Sequence, residues 1–179
     1  MTIMISENRE NKREYSRVEA CIPLEYRLVP RGFEETMRAR VAGQSVLAEF
    51  KSLPNPDDQL IAQWLQSINA KLTEIIRLLT LQRDGFHCLN MAKVNISGGG
   101  MSFNTGKSFT TGDILEIKVM LGIQMPAALF LYGEVIDTAT SQTEYDTSVE
   151  FINIDDFVRD EIIRFVFETE REILREKRR

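Results

Sequence analysis

The chain has 179 residues, 43% hydrophobic and 27% charged. This is globular composition in a length that supports one real core, and it excludes a largely disordered chain. Lys and Arg number 22 and Asp and Glu 27, a net charge of −5. Such a protein does not wrap long nucleic acids through its overall field, so a bound anion must be held by a local basic cluster.

In chain order, residues 1–11 are polar and aperiodic and read as a flexible tail. From Val18 to Leu28 the even positions (Val18, Ala20, Ile22, Leu24, Tyr26, Leu28) are apolar and the odd ones largely polar, which predicts a strand with one buried face. Pro23 cannot donate to a ladder and suggests an edge or a bulge there. Residues 33–53 read as one or two short helices broken near Gly43. The turn Leu53-Pro54-Asn55-Pro56-Asp57-Asp58 then starts a long helix over 58–83. Its apolar residues Ile61, Leu65, Ile68, Leu72, Ile75 and Leu79 alternate steps of four and three, a heptad seam. With Leu at a and Ile at d, a parallel coiled coil shifts from dimers towards trimers or tetramers. Trp64, Ile76 and Leu78 widen the surface beyond one partner's needs. A helix packed on its own chain is the alternative.

Asp84-Gly85 ends this helix. Leu89–Ile96 is β-like, with an apparent slip of parity at Ala92-Lys93 that suggests a bulge, and Gly98-Gly99-Gly100 is a turn. Strands follow over 114–121, 127–136 and 145–154, then a helix over 156–178 with a core face of Val158, Ile162, Phe165, Val166 and Ile173. The class is mainly β with helices (α+β), with an antiparallel barrel or sandwich at its centre.

Two cysteines, Cys21 and Cys88, exclude a disulfide framework, and with the single His87 they do not make a zinc site. No metal, cofactor or catalysis is expected. Gly106-Lys107-Ser108 matches the end of a phosphate loop, but its first glycine is replaced by Met101 and strand, not helix, follows. No signal peptide is apparent, and no apolar run reaches the about 18–20 residues of a membrane span. A cytoplasmic location without membrane insertion is expected.

Two constellations could hold a ligand. Lys12-Arg13-Glu14-Tyr15-Ser16-Arg17 leads into the first strand, with Arg13 and Arg17 on roughly one side. Two guanidiniums so placed can grip phosphate oxygens and the O6/N7 edge of guanine, although alone a solvated charge pair is the plainer reading. Asn95-Ile96-Ser97-Gly98-Gly99-Gly100 ends a later strand. Asn95 and Ser97 face the same way, and the glycines allow backbone N–H groups to approach a ligand. A polar β-turn is the plainer reading.

Together, R-x-x-x-R before a strand and N-x-S-x-x-G after a later one resemble the paired motifs of the PilZ domain family, whose members bind the bacterial second messenger cyclic di-GMP. Gly112-Asp113-Ile114-Leu115-Glu116-Ile117 and Ser148–Ile154 followed by a helix resemble other family segments. The resemblance covers about residues 12–30 and 87–179. It implies a six-stranded antiparallel β-barrel with a C-terminal helix, over residues 12–179, interrupted by a helical insertion over 31–86. It implies a non-enzymatic cyclic di-GMP receptor or adaptor. Arg13 and Arg17 would bind guanine edges and phosphates, with Lys12 adding charge. Asn95 and Ser97 would hydrogen-bond the ligand, and Gly98, Gly99 and Gly100 would keep the face open. A tetrameric form with a helical insert is known in the family, so a homo-oligomer is expected, a tetramer before a trimer or dimer, together with an unidentified protein partner and no nucleic-acid polymer. The alternative is a PilZ-like oligomeric scaffold that binds no nucleotide.

Overall fold

The even-numbered residues Val18, Ile22 and Leu24 are buried while Arg17, Glu19, Cys21 and Glu25 are exposed, the two-residue period read in the sequence. The computed structural model describes residues 15–30, 32, 37–42, 56, 58–122, 126–141 and 144–177. The elements are β1 (Arg17–Leu28), β2 (Arg40–Val41), α1 (Gln59–Arg83), β3 (Asn90–Ser97), β4 (Gly100–Thr105), β5 (Ile114–Leu121), β6 (Ala127–Ser141), β7 (Glu144–Ile152) and α2 (Asp156–Glu176). The expected tail (1–11) and, of the helices expected over 33–53, residues 33–36 and 43–53 lie outside the described residues.

Six strands close into an antiparallel barrel in the order β1-β3-β4-β7-β6-β5, with β5 pairing back to β1. Two strands change neighbours along their length. β1 pairs with β3 through residues 17–24 and with β5 through 24–28. β6 pairs with β5 through 127–134 and with β7 through 132–141. The β6 ladder shifts register between Val135 and Asp137, and Ile136 is left exposed. This is the bulge that lets a long strand bend around a barrel.

Inward residues of all six strands form one core, including Ile96, Phe103, Leu115, Ile117, Leu129, Leu131, Val135 and Val149. α2 seals one end with Val158, Ile162, Phe165 and Val166. Its N-cap Asp155 accepts from the Val158 amide at 2.9 Å. The buried hydroxyls of Thr105 and Thr147 bond each other at 2.8 Å, so these two polar groups satisfy one another.

Several sequence expectations are corrected. The bulge is not at Ala92-Lys93: β3 runs in continuous register there, and the odd apolar residue Met91 is simply exposed. β4 was not read as a strand, because three glycines hide its start. β6 extends five residues past Ile136. Pro23 lies in a strand with neighbours on both sides, one residue before the β5 pairing begins, where a missing N–H disturbs no β5 ladder. Residues 37–42 are extended rather than helical. Met37 and Ala39 point in, Arg38 and Arg40 point out, and β2 pairs with β6 through Arg40–Phe130 and Val41–Leu129. His87 and Cys88 lie exposed on a 3₁₀ turn just before β3.

α1 forms as expected, with Asp58 Oδ1 accepting from the Leu60 and Ile61 amides and Gly85 at φ 81° following its end. Among the described residues it packs on the barrel through its C-terminal end. There Leu81, Phe86 and Leu89 pack on Ala42, Ala128, Phe130 and Met120, a second small core on the outside of the sheet. Phe86 meets Phe130 edge-on at 5.1 Å, Arg40 stacks 4.0 Å from the Phe130 ring, and Lys118 donates to the Asp84 carbonyl at 3.0 Å.

Two substitutions test this packing. Phe86→Ala empties the small core and is expected to cost about 3–5 kcal/mol, read by urea denaturation, with trypsin cleavage rising at Arg77 and Arg83. Gly100→Ala would place a β-carbon 2.3 Å from the Val149 carbonyl oxygen. Because that atom is backbone, the β4–β7 ladder must move, and a loss of about 1–3 kcal/mol is expected in the same measurement.

Candidate functional site

The residues of the two sequence constellations that the structure describes meet at the barrel end sealed by α2. Antiparallel pairing sets Arg17 on β1 opposite Ser97 on β3, and Glu19 opposite Asn95. Arg17 is exposed and makes no side-chain bond among the described residues. Asn95 Oδ1 is buried and has no hydrogen-bond partner among them, an arrangement that leaves an acceptor ready for a donor. Lys12 and Arg13 lie outside the described residues.

Ser97 and Gly100 have clear local tasks. Ser97 is buried and its hydroxyl donates to the Gly100 carbonyl oxygen at 3.1 Å, closing the β3–β4 turn. Gly100 is glycine because β7 passes too close for a side chain. Gly98 and Gly99 differ: their surface is covered by the ring of Tyr15, with which a β-carbon at Gly98 would collide at 2.8 Å. The face expected to stay open is therefore occupied by the chain's own aromatic residue.

Three residues enter the site that the sequence reading passed over. Arg159, in the first turn of α2, donates from Nη1 to the Gly98 carbonyl at 2.8 Å, and its guanidinium lies 5.6 Å from the Tyr15 ring centroid. Glu170 accepts a hydrogen bond from the Ser16 hydroxyl. Tyr15 itself stands between Arg13 and Arg17. Signals existed for two of them. An aromatic inside a basic motif invites stacking, and a cation near a helix N-terminus runs against the macrodipole and calls for a specific partner.

Other polar groupings are structural. Arg27 grips Glu116 with two bonds of 2.9 Å, and Tyr132 donates to the same carboxylate at 3.1 Å. The hydrogen bond to Glu116 raises the Arg27 pKa, and burial, before the charge of Glu116, raises that of Tyr132. The three residues are register neighbours across β1, β5 and β6, so they lace the sheet. The groove between α2 and the β5–β6 end carries Glu161, Arg164, Glu168 and Arg171, with Arg164 paired to Glu161, and offers no field of one sign. Among the described residues no group of three or more His, Cys, Asp or Glu could hold a metal, and no helix is long and apolar enough to cross a membrane.

Comparison with known proteins agrees with this architecture. The structure is similar to a solved Xanthomonas campestris protein described as a pathogenic protein with a new tetrameric PilZ domain self-assembled through an unusual helical bundle. The TM-score is 0.58 at 17% identity, covering 90% of this chain and 91% of that one. No curated protein matches the sequence. The PilZ domain model matches residues 76–168, from the last part of α1 through β3–β7 into α2, and lies wholly C-terminal to Arg13 and Arg17. A barrel of this topology, and a family match over more than half the chain, place the protein in the PilZ domain family.

Proposed function

We propose that this chain is a cyclic di-GMP receptor that passes its signal by contact to a protein partner, without catalysing a reaction. The observation that carries the reading is the register of β1 on β3. It sets the exposed cation Arg17 beside Ser97, two residues from Asn95, whose buried oxygen has no partner among the described residues. Cyclic di-GMP offers what such a site needs: anionic phosphates for guanidiniums, and guanine N–H donors for an amide oxygen. Lys12 and Arg13 precede Arg17 in the chain and would add charge to the same end. Gly98, Gly99 and Gly100 would form the floor on which the ligand rests. The membership in a family of cyclic di-GMP receptors supports the ligand class, and a cytoplasmic location follows from it as part of the proposal.

We further propose that the receptor is a homotetramer held by α1. Ile61, Leu65, Ile68, Leu72, Ile75 and Leu79 are each 47–60% exposed, and Trp64 and Leu78 are exposed beside them. In a single copy this seam packs on nothing among the described residues. Leu at a with Ile at d favours more than two strands in a parallel coiled coil, and the Xanthomonas protein's description as a tetramer formed through a helical bundle supports the same number. A scaffold that binds no nucleotide is the second reading, favoured by the commitment of Ser97 to the turn and by Tyr15 over Gly98 and Gly99.

Calorimetric titration with cyclic di-GMP separates the two readings. The unmodified chain is expected to bind, and Arg17→Ala and Asn95→Ala each to lose about tenfold or more, the size of one or two charge-assisted bonds. Undiminished affinity in both variants refutes the assigned site. For the assembly, light scattering should give four copies for the unmodified chain and one for the double variant Ile68→Asp, Leu72→Asp. A monomer at tens of micromolar without substitution refutes it.

A further inference from the structure

Tyr15 fills a slot that a flat ligand group could use. The floor is Gly98 and Gly99. A β-carbon at Gly98 would stand 2.8 Å from Tyr15 Cδ1 and 3.0 Å from Ile163 Cγ1, and one at Gly99 3.4 Å from Tyr15 Cδ2. Neither glycine has a positive φ, so backbone conformation does not require glycine here; room for a ring accounts for Gly98. Ile163 forms an aliphatic wall. The guanidinium of Arg159 lies 5.6 Å from the ring centroid and is fixed by its 2.8 Å bond to the Gly98 carbonyl. Ser16, hydrogen-bonded to Glu170, tethers the segment that carries the ring.

We propose that this slot is a base-stacking subsite, that Tyr15 is an internal plug in it, and that a guanine of the ligand displaces the plug and stacks beside Arg159. The proposal rests on the cyclic di-GMP reading. A purine is as flat as a phenol ring, and a guanidinium stacks on either. Arg159 commits one of its five N–H donors to Gly98 among the described residues, and guanine O6 and N7 accept from the others. Its place near the N-terminus of α2 costs dipole energy that helix formation alone does not recover. Tyr15 stands between Arg13 and Arg17, so one short segment carries both the competitor and the cations that hold the phosphates. The apparent affinity is then the intrinsic one multiplied by the fraction of chains whose slot is open.

Calorimetry on the full chain with cyclic di-GMP tests the plug. Tyr15→Ala is expected to bind about tenfold more tightly, corresponding to a slot open in about one chain in ten. Tyr15→Phe keeps the ring and should bind less tightly than Tyr15→Ala. In the Tyr15→Ala background, Arg159→Gln should weaken binding about tenfold by removing the base contact. Should Tyr15→Ala fail to fold, hydrogen exchange of residues 15–17 in the unmodified chain gives the second readout: it rises on saturation if the plug leaves and falls if Tyr15 stays in place. Equal or weaker binding by Tyr15→Ala, or falling exchange, overturns the plug and leaves the receptor reading intact. No binding by either the unmodified chain or Tyr15→Ala overturns the receptor reading, and the plug with it.

Discussion

β7 pairs with β4 on one side and β6 on the other, and through that double pairing the sheet becomes a ring. A ring has one inside, and here the inside is filled by side chains from all six strands. Everything functional must then sit on the rim or the outer wall. Closure also fixes Gly100, because a β-carbon there would stand 2.3 Å from the Val149 carbonyl oxygen on β7. One motif glycine is thus set by barrel geometry before any ligand enters the account, whereas Gly98 is set by the aromatic ring above it.

The same closure decides what α1 can do. With the interior full, the helix must rest on the outside of the sheet, and among the described residues its last turn does so on β5 and β6. At about 1.5 Å per residue, its 25 residues reach some 37 Å, most of it clear of the small core that anchors it. An amphipathic helix gains stability mainly by burying its apolar face. Six half-exposed Leu and Ile residues in a heptad seam lie off the barrel among the described residues, and the proposed assembly rests on that exposure. Site and helix stand on different parts of the barrel, the first at the α2 end and the second on the β5–β6 wall.

Much of this was legible in the sequence wherever one period dominated. The alternation of β1, the whole of β5 and the 4-3 seam of α1 were read nearly to the residue, because one apolar period dominates each. The reading failed where two signals overlapped. Residues 37–41 alternate Met-Arg-Ala-Arg-Val, a strand period too short to outweigh the helix formers around it, and pairing with β6 selects it. β4 began in glycines that read as turn. Met91 looked like a slipped register because an exposed methionine and a buried one are the same letter. In the site, the motif residues Arg17, Asn95 and Ser97 could be paired by resemblance, but Arg159 and Glu170 are more than 140 residues from Tyr15 and Ser16, and no local pattern joins them.

By itself the sequence determined the periods, the caps and the residue chemistry: which faces are apolar, where α1 starts at Asp58 and stops at Gly85, and which cations and amides are available at the motifs. These depend on neighbours a few positions apart, where the helix and strand repeats fix geometry in advance. Tertiary structure alone decided the rest, because it depends on contacts between distant segments. Packing of α2 on the barrel end brought Arg159 to Gly98 and Glu170 to Ser16, and Tyr15 came to lie over the glycines. Closure of the ring left the apolar seam of α1 facing outward.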